Sequence, residues 1–137
     1  MAATTTIQQT DFIAGAKPYE VYDALVDARK HAEFTGAKAT GQAKVGAKFT
    51  AWDGYITGKH LVLEPGRRLV QEWTTNEWPA GASPSRLEWT FVAKGDGTQV
   101  TLVHTDVPAE QAETYRTGWI DYYWDPLKQF FEDQQDT

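Results

Sequence analysis

Arg86-Leu87-Glu88-Trp89-Thr90-Phe91-Val92-Ala93-Lys94-Gly95-Asp96-Gly97-Thr98-Gln99-Val100-Thr101-Leu102-Val103-His104-Thr105 reads as a β-hairpin and sets the fold class. Leu87, Trp89 and Phe91 alternate with Arg86, Glu88 and Thr90, the period-two pattern of a strand with one apolar face. Gly95-Asp96-Gly97 supplies the turn. The alternation resumes with Val100 and Leu102, and His104 keeps their parity, so its ring is expected to point inward.

The same logic extends upstream. Gly41 and Gly46 flank a short strand region, and Lys48 to Trp52 reads as a strand ended by the hairpin dipeptide Asp53-Gly54. Tyr55 to Leu63 follows, then Pro65-Gly66 in type II turn positions, then a strand from Arg67 to Trp78. Pro79 to Pro84 is a loop. Every link is too short for a parallel crossover, so residues from about 38 to 106 form an antiparallel meander of about six strands.

Before the meander, residues 4–14 read as one more strand, Thr-rich with Ile7, Phe12 and Ile13. Pro18 suits the first position of a helix carrying Val21, Ala24, Leu25 and Ala28 on one side. A second short helix runs to Phe34, with Gly36 as its stop and His31 on its exposed side. After the meander, Pro108 opens a long helix to about Phe131. Its apolar stripe is Ala112, Tyr115, Trp119, Tyr122 or Tyr123, Leu127 and Phe130. Gly118 weakens this helix, and Pro126 is expected to kink or break it.

A chain of 137 residues suits one domain, 1–137. Cysteine is absent, which excludes disulfides, thiol catalysis and Cys-ligated metals and fits a reducing compartment. A net charge of −6 argues against a nucleic-acid partner. That charge is confined to residues 106–137, which hold 8 acidic and 2 basic side chains. The acidic run reads as a solvated helix face, with a basic docking partner as the sharper alternative. No stretch is apolar enough for a membrane span, and the N-terminus lacks the pattern of a signal peptide, so a soluble, cytoplasmic protein is expected. The apolar residues are unusual: 18 aromatics stand against 7 Leu and 4 Ile.

A seven-stranded antiparallel sheet needs a cover on its apolar face, and only the last helix is long enough. Because its stripe is made of rings, an aromatic-lined space between helix and sheet is expected. The order is β-α-α-β6-α, an α+β fold. The chain here resembles a known family. The matching segments are Phe12-Ile13-Ala14, Lys17-Pro18-Tyr19-Glu20-Val21-Tyr22-Asp23-Ala24-Leu25, Trp52-Asp53-Gly54-Tyr55-Ile56, Leu63-Glu64-Pro65 with Arg68-Leu69-Val70 and Trp73, Val100-Thr101-Leu102 with His104 and Val107-Pro108, and Gly118-Trp119 with Tyr122-Tyr123 and Pro126-Leu127. Taken in order, they are similar to the activator of heat-shock protein 90 ATPase homologue-like family, within the START-like or SRPBCC superfamily. The resemblance implies the helix-grip fold of the birch-pollen allergen, a curved antiparallel sheet wrapped around a C-terminal helix with a hydrophobic cavity. It leaves function open, because members of that superfamily bind lipids and hormones, cyclise polyketides or act on chaperones.

Trp73, Trp89, Phe91, Trp119, Tyr123 and Phe130 are the candidate cavity lining, with plain core packing as the alternative. Trp52, Gln71 and His104 complete the candidate ligand-binding set: Gln71 shares the parity of Leu69 and Trp73, and Trp52 precedes a turn at the cavity mouth. The parity of His60 is unsettled, and the three histidines lack metal-ligand spacing, so neither metal nor cofactor is expected. Ser83 and Ser85 lack a nucleophile elbow or an obvious His or Asp partner. Three functions follow. The first is a carrier of an apolar or aromatic small molecule, as monomer or homodimer. The second is an enzyme, a cyclase or hydrolase with His104, Asp53 or Glu72 as acid or base. The third is a chaperone-associated module; the family's namesakes carry a further N-terminal domain that this sequence does not show.

Overall fold

The computed structural model describes residues 3–135. The chain runs β1 (Thr4–Ala14), α1 (Pro18–Val26), α2 (Ala28–Thr35), β2 (Thr40–Gly41), β3 (Lys48–Ala51), β4 (Ile56–Glu64), β5 (Arg68–Thr75), β6 (Ser85–Lys94), β7 (Gly97–Pro108), α3 (Ala112–Trp119) and α4 (Asp125–Gln135). These strands form one antiparallel sheet in the order β1-β7-β6-β5-β4-β3-β2. The first strand thus closes one edge beside the last, and α1 and α2 carry the chain across to the other edge. This is the α+β order read from the sequence, and the helix-grip architecture that the family resemblance implies.

Local chemistry explains the short helices. The Lys17 backbone N–H donates to Glu20 Oε1 at 2.8 Å, and Pro18 occupies the first turn, where its missing N–H costs nothing. Asp27 ends α1 and caps α2, its carboxylate accepting the Lys30 N–H at 3.1 Å. Gly36 terminates α2 at φ 78°, a left-handed conformation that glycine adopts without a Cβ clash.

The sheet's two faces differ as the alternation demands. Leu69, Gln71, Trp73 and Thr75 of β5 and Ser85, Leu87, Trp89 and Phe91 of β6 are buried on the concave side. The outer face carries paired threonines, Thr10 with Thr101, Thr57 with Thr74 and Thr40 with Thr50, and the Arg68–Glu88 ion pair at 2.6 Å. Register shifts at Thr5/Ile7 in β1 and at His60/Val62 in β4 interrupt the ladder, the kind of irregularity that bends a strand.

Three expectations about element ends are corrected. The strand expected from Lys48 to Trp52 stops at Ala51, because Trp52 turns left-handed at φ 52°. The strand expected to reach Trp78 stops at Thr75, and the Trp78 indole N–H instead donates to the Ser83 carbonyl at 3.0 Å, closing the loop. Pro126 does not end the last helix; it sits in the first turn of α4, and the irregularity expected of it takes the form of a π-segment immediately before it. α3 and α4 are joined by a π-turn over Ile120–Trp124, in which the Asp125 N–H reaches the Ile120 carbonyl. The wider turn ahead of proline accommodates a residue that has no N–H to give.

That extra residue per turn also rotates the stripe. Tyr115, Trp119, Tyr123, Trp124, Leu127 and Phe131 are buried, whereas Tyr122 is 55% exposed. Phe130, expected on the stripe, is only partly buried and packs beside Phe34 of α2. Polar clips fix the helix to β1. Gln9 donates to the Arg116 carbonyl at 3.0 Å and accepts the Trp124 indole N–H at 2.7 Å, and Lys128 meets Asp11 at 2.6 Å. The acidic residues of this region, from Glu110 to Asp133, are exposed around the stripe. Among the described residues, no helix is long and apolar enough to cross a membrane.

Candidate functional site

Two spaces lie between the sheet and the last helix. The larger, about 510 Å³, opens between the turn after β3, Trp73 of β5 and the α3–π-turn segment. Seven of its ten lining residues are aromatic: Trp52, Tyr55, Trp73, Tyr115, Trp119, Tyr122 and Tyr123, joined by Ile56, Thr114 and Gly118. No charged side chain lines it. Its volume falls within the range of roughly 300–1,000 Å³ typical of small-molecule sites. A smaller void of about 30 Å³ lies deeper, beside His31, His60, Gln71 and Trp89, and shares Trp73, Trp119 and Tyr123 with the outer cleft. It has room for about one or two waters.

The walls are set by ring-on-ring packing. Trp119 stands 5.3 Å from Trp73, 5.6 Å from Trp89 in an edge-on arrangement and 4.9 Å from Tyr123, ring centre to ring centre. On the rim, Tyr115 bonds Thr75 at 2.7 Å and donates to Gln111 at 2.8 Å, while the Tyr55 hydroxyl donates to Glu77 at 2.5 Å. Burial, and for Tyr55 the Glu77 carboxylate as well, hold these phenols above their ordinary range. Burial does the same to Tyr123. The rim tyrosines are therefore neutral hydrogen-bonding groups at neutral pH.

All three histidines are buried. The Trp119 indole N–H donates to His104 Nδ1 at 3.2 Å, so the ring proton sits on Nε2. Nε2 then donates to Ser85 Oγ at 2.7 Å, and Ser85 donates onward to the Trp73 carbonyl at 2.6 Å. Burial pushes His104 down to about 3 and His31 down to about 4, and lowers His60 as well. Gln71 donates to His60 Nδ1 at 3.3 Å, and His60 stacks on Phe49. His31, expected on an exposed helix face, is 7% exposed and bonds the Tyr123 hydroxyl at 3.0 Å. Its helix lies against the last helix, which the local pattern of α2 does not reveal.

The expected site residues divide accordingly. Trp52, Trp73, Trp119 and Tyr123 meet at the outer cleft, and Gln71 and Trp89 face the inner void. Phe91, His104 and Phe130 border neither space: Phe91 packs edge-on against Tyr22 of α1, His104 is enclosed by Ser85, Trp73 and Trp119, and Phe130 packs beside Phe34 and Phe131. The acid–base candidates are all away from the cleft. Asp53 is exposed on its turn, with Oδ1 accepting the Lys38 N–H at 3.1 Å. Glu72 lies on the outer sheet face opposite Arg86 and Lys59. Ser85 does have a histidine partner, unlike the sequence reading, but their shared protons run away from the serine oxygen's nucleophilic role and toward the Trp73 carbonyl. Among the described residues, no group of three His, Asp or Glu side chains could hold a metal ion.

Sequence reasoning missed Tyr55, Ile56, Thr114 and Gly118 as lining, and it placed Tyr115 and Tyr122 on the helix stripe without assigning them to the site. Gly118 was the available signal, since a glycine inside a helix frequently marks a close approach or an open space. A Cβ added there would meet only Tyr122, at 3.8 Å.

The family model described as Activator of Hsp90 ATPase homolog 1-like protein matches residues 15–132, which include every lining residue of both spaces. The chain belongs to this family. It is 32% identical over 114 residues to the human "Activator of 90 kDa heat shock protein ATPase homolog 1", covering 83% of this chain and 33% of that protein. The chain thus spans about a third of the length of the curated relatives it matches. Among solved structures, an Hsp90 activator from Plasmodium falciparum superposes with a TM-score of 0.81 at 21% identity, covering 94% of this chain and 96% of that one. CalU16 from Micromonospora echinospora gives 0.74 at 25% identity, covering 98% and 79%. These likenesses place the family's SRPBCC helix-grip fold on this chain.

Proposed function

We propose that this protein binds an uncharged, planar aromatic small molecule in the outer cleft. The observation that carries the reading is the cleft itself: about 510 Å³, with seven aromatic residues among ten and no charged side chain. Flat rings suit flat ligands through offset and edge-on contacts. A charged ligand would lose its hydration there without a counter-charge. The Tyr55 and Tyr115 hydroxyls on the rim already have protein partners, so they need nothing from the ligand.

Gly118→Leu tests this directly. Leucine on α3 would extend into the cleft, while a helical glycine replaced by a better helix former stabilises the chain by about 0.5–1 kcal/mol. The expected result is loss of naphthalene binding by at least tenfold, read by tryptophan fluorescence, with an unchanged or raised melting temperature. Unaltered binding in a well-folded variant would place the ligand elsewhere.

A second reading comes from the human relative, whose name describes an activator of the 90 kDa heat-shock protein ATPase. On it, the chain would engage that chaperone through its exterior. Adding the purified chain to Hsp90 should then raise the ATP hydrolysis rate at least twofold. An unchanged rate at tens of micromolar chain would dismiss it.

A further inference from the structure

The two edges of the sheet are finished differently. At one of them, β2 is two residues long, turns at Gly41 with φ 124°, and has Lys38, Lys44 and Lys48 around it in the chain. Short length and lysines are how an edge is kept from pairing with another chain. The other edge, β1, runs from Thr4 to Ala14 without a lysine or a proline. Its one charged residue, Asp11, is neutralised from within by Lys128 at 2.6 Å. From Ile7 to Ala14 its pairing with β7 is regular.

Phe12 shows which backbone groups face away from the sheet. Its N–H is not spent on β7 and instead donates to Asp11 Oδ1 at 2.8 Å. In an antiparallel pair, alternate residues turn both backbone groups away from the neighbour, so those of Gln8 and Thr10 point the same way as those of Phe12. Gln8 and Thr10 are exposed. Apolar side chains flank this row on both sides. Phe12, 38% exposed, shares the outer sheet face with Thr10. On the helix side, Gln9 bonds the Arg116 carbonyl and the Trp124 indole, one turn before and one turn after Ile120. Ile120 therefore emerges beside the same edge, and it is 44% exposed.

We propose that a second copy of this chain covers this edge, β1 pairing antiparallel with its counterpart about a two-fold axis at Thr10. The strand is self-complementary in that register. Thr10 meets Thr10 of the second copy and extends the row Thr90–Thr101–Thr10 on the outer face, which is stitched by threonine pairs elsewhere. Gln8 meets Phe12 of the second copy, and Asp11 falls opposite Gln9, so no like charges oppose. The Thr10 and Gln8 N–H groups donate to the carbonyls of the second copy's Thr10 and Phe12, while the Phe12 N–H keeps its bond to Asp11. The two Ile120 side chains approach each other across the axis, as an isologous contact requires. None of Gln8, Thr10, Phe12 and Ile120 lines either space, so this surface is independent of the cleft reading.

Sedimentation velocity of the full chain tests it, with a dimer expected to form between about 1 and 100 µM. Thr10→Pro removes an outward N–H that β7 does not use, and Ile120→Lys puts a charge on the axis. Each should raise the dimer dissociation constant at least about tenfold with little change in melting temperature. Should Thr10→Pro fold poorly, Ile120→Lys decides alone, since its side chain is already exposed. Each copy carries a net charge of −6 and the edge itself is neutral, so raising salt from about 50 to 500 mM should not weaken the dimer. In hydrogen exchange, the Thr10 amide should slow as protein concentration rises. A wild type still monomeric at about 500 µM overturns the proposal, that concentration lying well above the expected range. So does a dimer that Ile120→Lys leaves intact, or one that dissociates in salt, which would set the acidic helix face of one copy against the lysines of another. A Thr10 amide whose exchange ignores concentration overturns it as well.

Discussion

Between pH 7 and pH 4.5 the folded state should lose about 5 kcal/mol of stability, through His31 and His104 alone. In the unfolded chain both imidazoles take up protons near 6.5, whereas in the fold they stay neutral down to about 4 and about 3. The unfolded state therefore binds more protons across this interval. Stability is fully present above 6.5 and falls as pH drops toward the folded values. Each ring contributes about 2–3 kcal/mol of that loss by pH 4.5, with no discount for screening because both are buried. The cause is desolvation, since no carboxylate faces either ring: Ser85, Trp73 and Trp119 surround His104, and Tyr123 and Phe34 surround His31. His60 adds in the same direction. Against a typical total of about 5–15 kcal/mol, acid unfolding is expected before the carboxylates titrate. Urea midpoints at pH 7, 6 and 5 would check it, with His31→Phe reducing the slope by about one proton. A flat profile from pH 7 to 5 would show that the rings are charged or solvated in the fold.

Trp119→Ala carries the other large effect. Trp119 touches Trp73, Trp89 and Tyr123, and its N–H satisfies His104. Removing a buried indole costs about 3–5 kcal/mol, and leaving His104 Nδ1 without its donor costs about 1–3 more. The variant is expected to be largely unfolded, or compact and dye-binding with its near-ultraviolet circular dichroism lost. Trp119→Phe separates the two contributions. It keeps most of the ring and gives up the bond, so it should fold with a loss of about 1–3 kcal/mol. If Trp119→Ala melted like the wild type, the ring cluster would be packing around space rather than supporting the sheet.

The alternation around Leu87, Trp89 and Phe91 and the turn at Gly95–Gly97 are local facts, and they carried the antiparallel sheet without reference to any partner. The same holds for the Pro18 and Gly36 helix signals and for the inward parity of Gln71 and His104. Parity says which face a side chain takes, and it says nothing about what waits on that face. His104 and Phe91 do point inward, but a tryptophan from the last helix seals one and a tyrosine from α1 covers the other, so neither borders a space.

Residues far apart in the chain made the rest. The cleft needs Trp52, Trp73 and Trp119 to converge from a turn, a strand and a helix. His31 is buried because α2 meets the last helix, a contact spanning 92 residues. The π-turn at Ile120–Trp124 rotates Tyr123 inward and Tyr122 out, a choice that helical periodicity left open because it presumes a constant 3.6 residues per turn. The sequence by itself determined the element order, the faces of the strands and the family, since propensity, turn chemistry and period are properties of neighbouring residues. Which rings border open space only the tertiary structure decided, because it depends on packing between elements that never adjoin in the chain.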